Sequence, residues 1–211
     1  MNWTQIPLGP LQTNAYVITN DKNEAIIIDP GGDGAKFLTW LKSHSLTPIA
    51  ILLTHAHFDH IGAVDEVREA FACKVYLHKK EKSWLRDASK NGSSRFPGIS
   101  PITVREADVY LTDETSLTIG MFSFEVFETP GHSPGSVSYF DKKNKVVFSG
   151  DALFASSIGR TDLLGGNQEQ LLTSIHKKLL TLPEETIVAC GHGQVTTIGQ
   201  EMDSNPFLSG F

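Results

Sequence analysis

Along the first part of the chain, short apolar runs separated by turn residues predict strands before any helix. Residues 14–19 (NAYVIT) and 25–29 (AIIID) are apolar, β-branched and bounded by turn residues, and NDKN at 20–23 is the turn between them. The period then changes. Across 35–44, Phe37, Leu38 and Leu41 recur at helical spacing. Ile49 to Leu53 is an uninterrupted apolar run of strand length, which predicts a buried strand. Beyond THAHFDH at 54–60, Ile61, Val64, Val67 and Phe71 form one apolar stripe of a helix, and KVYL at 74–77 predicts another strand. The stretch 83–101 is rich in Ser, Gly, Pro and basic residues, so a long loop or lid is expected there.

The second half repeats the scheme. Strands are expected at 115–119, 122–129, 136–140 and 146–149. A helix follows over 167–181, with Leu171, Leu172, Ile175 and Leu179 on one face, and then a strand at 186–190. Two successive strand-then-helix blocks predict two sheets packed face to face with helices outside. The expected class is α/β, a four-layer αββα sandwich rather than a doubly wound sheet.

Composition narrows the partners. A length of 211 residues fits a single domain over 1–211, and a net charge of −6 argues against a nucleic-acid partner bound through bulk charge. No apolar run reaches membrane-spanning length, and MNWTQIPLGPLQTNAYVI lacks a basic segment followed by an apolar one, so a cytoplasmic protein away from membranes is expected. Cys73 and Cys190 lie far apart and suggest no disulfide framework. Cys190 reads as a buried strand-end thiol.

The chemistry is concentrated in THAHFDH. His55 and His57 alternate on an extended segment and can aim at one cation. Asp59 and His60 sit where the chain turns into a helix and can aim at a second. Imidazole nitrogen and carboxylate oxygen suit Zn²⁺, Fe²⁺ or Mn²⁺. Three further candidates each follow an expected strand: His132 in TPGHSPG, Asp151 in FSGDALF and His192 in CGHG. His44, His78 and His176 lie outside these motifs, and solvent-facing roles are expected for them.

In order and rough spacing, THAHFDH, GHSPGS, SGDALF and CGHG resemble the metallo-β-lactamase superfamily over nearly the whole chain. The resemblance implies the αββα fold and two divalent metal ions, zinc by first expectation with iron or manganese compatible. It implies that His55, His57 and His132 hold one ion, that Asp59, His60 and His192 hold the other, and that Asp151 bridges them. Asp29 in IIIDPGGD resembles a position that buttresses the metal loop through hydrogen bonds. Two cations, two aspartates and a bridging hydroxide leave a net positive centre, able to acidify water and stabilise an oxyanion. Asp59 is the expected catalytic residue, orienting the hydroxide.

SGDALFASSIGRTD (149–162) and GHGQVTTIGQEMDSNPF (191–207) are similar to the short bacterial form of glyoxalase II, a hydroxyacylglutathione hydrolase. That likeness implies hydrolysis of a small-molecule thioester such as an S-D-lactoyl thiol, with Arg160 and Tyr139 as candidate substrate contacts. Arg160 replaces the Lys of those enzymes, Asp162 and Gln194 stand where they place tyrosines, and with residues 193–211 after His192 a helical glutathione domain is not expected. Two alternatives remain open on the same ligands: a mononuclear iron persulfide dioxygenase, and a lactonase or phosphodiesterase. Trp84, Arg86, Arg95 and Phe96, in the 83–101 loop, are candidates for lining a substrate entrance.

Overall fold

The computed structural model describes residues 2–113 and 115–209. They group into two compact units: Met1–Thr112 with Ile119–Phe122, and Asp113–Thr118 with Ser123–Phe211.

The first unit is built on a sheet of β1 (Asn2–Leu8), β2 (Thr13–Thr19), β3 (Glu24–Ile28), β4 (Thr47–Leu52), β5 (Lys74–His78) and β6 (Val109–Leu111), in that spatial order. The strands β1 to β3 pair antiparallel, while β3 to β6 pair parallel. Parallel neighbours need crossovers. The first two are α1 (Gly34–Ser43) between β3 and β4, and α2 (Phe58–Ile61) with α3 (Val64–Phe71) between β4 and β5; residues 79–108 make the third, between β5 and β6. Phe37, Leu41, Val64 and Val67 from the helices share one core with Ala25, Ile27 and Ile51 from the strands. Ile18, Ile26, Ile28 and Leu52, on the alternate positions, are at most 1% exposed, so the sheet is covered on both faces. That double burial is why its central strands read as continuous apolar runs. The parallel pairing also brings the carboxyl ends of β3 and β4 side by side, and loops leaving that edge can share a site.

The second unit carries β7 (Thr115–Ile119), β8 (Phe122–Glu128), β9 (Val137–Asp141) and β10 (Val146–Gly150). A small hairpin of β11 (Leu153–Phe154) and β12 (Ser157–Ile158) comes next, followed by α4 (Gln168–Ser174), which continues as a π turn over Ile175–Leu179. The chain then forms β13 (Ile187–Cys190), β14 (Thr196–Thr197) and α5 (Ile198–Ser204). The sheet order is β14-β13-β10-β9-β8-β7, and β10 and β13 pair parallel. Leu171, Ile175 and Leu179 pack with Val147, Val188, Cys190 and Ile198.

Several elements depart from the pattern reading. The helix expected from Ile61 is two helices, beginning at Phe58 and interrupted at Gly62–Ala63. A Cβ on Gly62 would lie 2.4 Å from the carbonyl oxygen of Gly31, so the break is where two backbones touch. The strand β1 was not anticipated: it is a half-exposed edge strand that contains Pro7. The hairpin β11–β12, β14 and three-residue β6 are too short to show a period. The 83–101 stretch is largely irregular as expected, with 3₁₀ turns at Lys79–Trp84 and Ser93–Arg95. Among the described residues no helix is long and apolar enough to cross a membrane.

Candidate metal centre

In the first unit the site begins with Asp29, at the end of β3. Its φ of 48° is left-handed, a conformation aspartate tolerates better than most residues. The carboxylate is buried and accepts three hydrogen bonds: from the Thr54 amide at 2.8 Å, the Thr54 hydroxyl at 2.6 Å and His60 Nδ1 at 2.9 Å. One carboxylate therefore anchors both the entry to the loop and one of its histidines. The Thr54 hydroxyl has one proton, and it goes to Asp29. His55 Nδ1, 3.0 Å from the same oxygen, must then be the donor of that contact. Both His55 and His60 thus carry their proton on Nδ1 and present a lone pair on Nε2, the form in which imidazole binds a cation.

The remaining ligands of the loop are close by. The His55 ring centroid lies 4.8 Å from that of His57 and 4.1 Å from that of His60. Asp59 Oδ2 accepts from the Thr13 hydroxyl at 2.8 Å and stands 3.6 Å from His60 Nε2. Backbone contact fixes Asp59 further, since a Cβ on Gly31 would come within 1.9 Å of the Asp59 carbonyl oxygen. On the other side of the loop, the Ala56 amide donates to Glu81 Oε2 at 2.6 Å, and the Phe58 amide donates to the Asn91 carbonyl at 3.0 Å. The Trp84 ring lies 5.6 Å from that of His57.

The second unit builds its own cluster at the carboxyl ends of β8, β10 and β13. His132 follows β8, and its Nδ1 donates to the Arg160 carbonyl at 2.8 Å, so its lone pair is again on Nε2. Asp151 follows β10 and His192 follows β13, held level by a bond from the Gly191 amide to the Gly150 carbonyl at 2.8 Å. Asp151 Oδ2 lies 3.6 Å from the Nε2 atoms of both His132 and His192. Gly159 lets the segment holding His132 approach, because a Cβ there would be 1.8 Å from the Asp151 carbonyl oxygen.

These separations fit a cation. At 3.6 Å, nitrogen and oxygen are too far apart for a hydrogen bond. Two ligands on one cation at about 2.1 Å each, spread at a near-tetrahedral angle, stand roughly 3.4 Å apart. Lone pairs set on Nε2 by hydrogen bonds at Nδ1, with carboxylate oxygens opposite, form a donor set suited to divalent metal.

Other expected residues sit differently. Tyr139 is not at an accessible surface. It is wholly buried, with its ring edge-on to Phe124 at 6.3 Å, because every residue of β9 is buried. The expectation of substrate contact is corrected accordingly. The Arg160 side chain is exposed and pairs with Asp162 through two bonds of 2.7 Å, which holds the Asp162 carboxyl down at about 2. Trp84 is buried, whereas Arg86, Arg95 and Phe96 are exposed, and Phe96 packs on Phe58. His44 is exposed and His176 half-buried, but His78 is buried and its ring accepts from the Lys80 amide, contrary to expectation. Burial pushes the Cys190 thiol up to about 11. Thr13, Glu81 and Asn91 were missed, since each lies far along the chain from THAHFDH and has no motif of its own.

The metallo-beta-lactamase superfamily model matches residues 8–192. A Bacillus subtilis (strain 168) protein named "Probable metallo-hydrolase YqgX" is 57% identical, over 100% of this chain and 99% of that one. "Hydroxyacylglutathione hydrolase GloC" of Haemophilus influenzae is 37% identical over 99% of each. The crystal structure of BLEG-1 B3 metallo-beta-lactamase matches with a TM-score of 0.97 at 66% identity, covering 99% of this chain and 100% of that one. TTHA1623, solved in a di-iron-bound form, matches with a TM-score of 0.86 at 40% identity, covering 97% and 100%. The fold class expected from the sequence is the fold these comparisons share.

Proposed function

The chain belongs to the metallo-beta-lactamase superfamily, and from that premise we propose that it hydrolyses small thioesters of the S-D-lactoyl-thiol type. At the coarser level it is a metal-dependent hydrolase. The observation that carries the reading is the hydrogen bonding at His55, His60 and His132, where a partner at Nδ1 leaves Nε2 as the ligand atom in all three. The whole-length likeness to a protein named hydroxyacylglutathione hydrolase directs the choice of substrate.

In this reading His55 and His57 would hold one ion and Asp59 and His60 another in the first unit, while His132 and His192 would be ligands in the second. Asp151 would be a ligand beside both, a role supported by its equal distance from His132 and His192. Divalent cations, when bound, acidify water and supply positive charge for an oxyanion and a departing thiolate. Asp59, with one oxygen fixed by Thr13, orients the attacking water and accepts its proton. The near-complete burial of His55, His60 and His132 keeps bulk water from competing for their nitrogens. Zinc suits the donor set, and the di-iron form of a 40%-identical protein makes iron the alternative.

A second reading, hydrolysis of a β-lactam amide, is favoured by the 66%-identical structure described as a B3 metallo-beta-lactamase. The test is metal analysis of freshly purified protein together with assays on S-D-lactoyl thioesters, a cephalosporin, lactones and phosphodiesters. Oxygen uptake is followed in parallel. The expected result is thiol release without oxygen, abolished by His57→Ala and by Asp151→Ala. Faster turnover of the cephalosporin favours the second reading, and oxygen-dependent turnover identifies a dioxygenase. Full activity in both mutants overturns metal catalysis altogether.

A further inference from the structure

We propose that Glu81 is a positioning residue for the metal loop, setting the backbone between His55 and His57; the proposal rests on the reading of those histidines as ligands. Glutamate is almost never fully buried unless it is paired. Glu81 is 0% exposed, and its Oε2 accepts the Ala56 amide proton at 2.6 Å. That distance is short for a nitrogen donor.

The placement follows from the local sequence. Lys79, Lys80, Glu81 and Lys82 lie in one 3₁₀ helix, Lys79–Trp84, and the three lysines stay at the surface while the acid turns inward. Three residues per turn set Glu81 and Trp84 above one another on the same face. That face meets the metal loop: Glu81 takes the Ala56 amide, and Trp84 lies against His57. A third strap comes from Asn91, whose carbonyl accepts the Phe58 amide. Asn91 is itself fixed, donating to the carbonyls of Trp84 and Ile102 and accepting from the amide and hydroxyl of Ser93. Residues 81–93 therefore grip three consecutive positions of the loop: Ala56, His57 and Phe58.

The grip has a chemical purpose. Ala56 lies beyond the end of β4, so no strand partner satisfies its amide, and a side chain must supply the acceptor. His55 and His57 leave the backbone on either side of this peptide. Rotation of the Ala56 peptide would swing both rings away from a shared cation. Trp84 and Asn91, within the 83–101 stretch expected from the sequence to be a long loop or lid, thus contact the metal loop beside Glu81.

The test uses the full-length protein with Zn²⁺ or Co²⁺ alone as the probe. Metal-free wild type, Glu81→Ala and Glu81→Gln are titrated against a chromogenic chelator, and the visible absorption of the Co²⁺ forms is recorded. Glu81→Ala is expected to bind about tenfold or more weakly, the range typical for loss of a supporting partner, and to shift the Co²⁺ bands. Glu81→Gln keeps an acceptor oxygen and is expected to stay close to wild type on both readouts. Should Glu81→Ala not fold, Glu81→Asp takes its place, since its shorter arm draws the oxygen back from Ala56. Equal affinity and an unchanged Co²⁺ spectrum in the folded variant overturn the role of Glu81. A wild type that binds no metal overturns the hydrolase reading itself, so the two failures are distinguishable.

Discussion

Replacing Asp29 tests whether one buried carboxylate organises the first half of the site. In Asp29→Ala, the Thr54 amide, the Thr54 hydroxyl and His60 Nδ1 all lose their acceptor. The hydroxyl can rotate to a new partner, but the other two donors are left buried. Each unsatisfied donor costs about 1–3 kcal/mol, so the pair costs roughly 2–6 kcal/mol. Holding alanine at the left-handed φ of 48° adds about 1 kcal/mol. The total rivals the whole stability of an ordinary domain, roughly 5–15 kcal/mol. Asp29→Asn separates the terms. Asparagine tolerates the backbone and keeps one acceptor oxygen, so it should lose about 1–3 kcal/mol. Urea unfolding of the metal-free proteins, read by fluorescence, should rank wild type above Asp29→Asn and that above Asp29→Ala. Metal affinity in Asp29→Asn should fall about 10–100-fold, because His60 loses its fixed tautomer. An Asp29→Ala protein within about 1 kcal/mol of wild type would refute the argument, since the three donors could then not depend on this carboxylate.

Two further outcomes are expected. Gly159→Ala forces a Cβ to 1.8 Å from the Asp151 carbonyl oxygen and 3.3 Å from His132 Cβ, so it should lower both the melting temperature and kcat; unchanged values for both would contradict the packing described. Burial pushes the Cys73 thiol from 9.0 up to about 11, against the opposing pull of its own backbone bond and of Arg68. The folded state therefore holds this proton more tightly than the unfolded chain does. The associated stability is fully present below about pH 9 and is lost as pH rises through about 11. At pH 8 a disulfide thiol reagent should leave Cys73 unmodified in the native protein and modify it in urea; rapid native reaction would exclude the buried, neutral thiol.

Much of this was legible in order along the chain. THAHFDH places its donors within seven consecutive residues, and alternation on an extended backbone is a local property that needs no tertiary information. The central strands could be read because burial on both faces leaves uninterrupted apolar runs, and α1 and α4 because each shows one apolar stripe. The same double burial hid the fate of Tyr139. In a strand where all five positions are buried, nothing in the sequence separates a core tyrosine from one that reaches a ligand. His78 was misjudged for a related reason: a histidine at a strand end reads as polar, while the fold uses its ring to cap the next turn.

The sequence by itself determined the metal-binding chemistry, the family and the strand-end positions of His132, Asp151 and His192. Only the tertiary structure decided which nitrogen of His55, His60 and His132 carries the proton, because that depends on Asp29, Thr54 and Arg160 arriving at Nδ1. It also decided that Thr13 and Glu81, 46 and 25 residues from the groups they hold, belong to the site. A ligand type is a property of one residue. Its orientation is a property of hydrogen bonds closed across the fold, and those have no signature in a linear pattern.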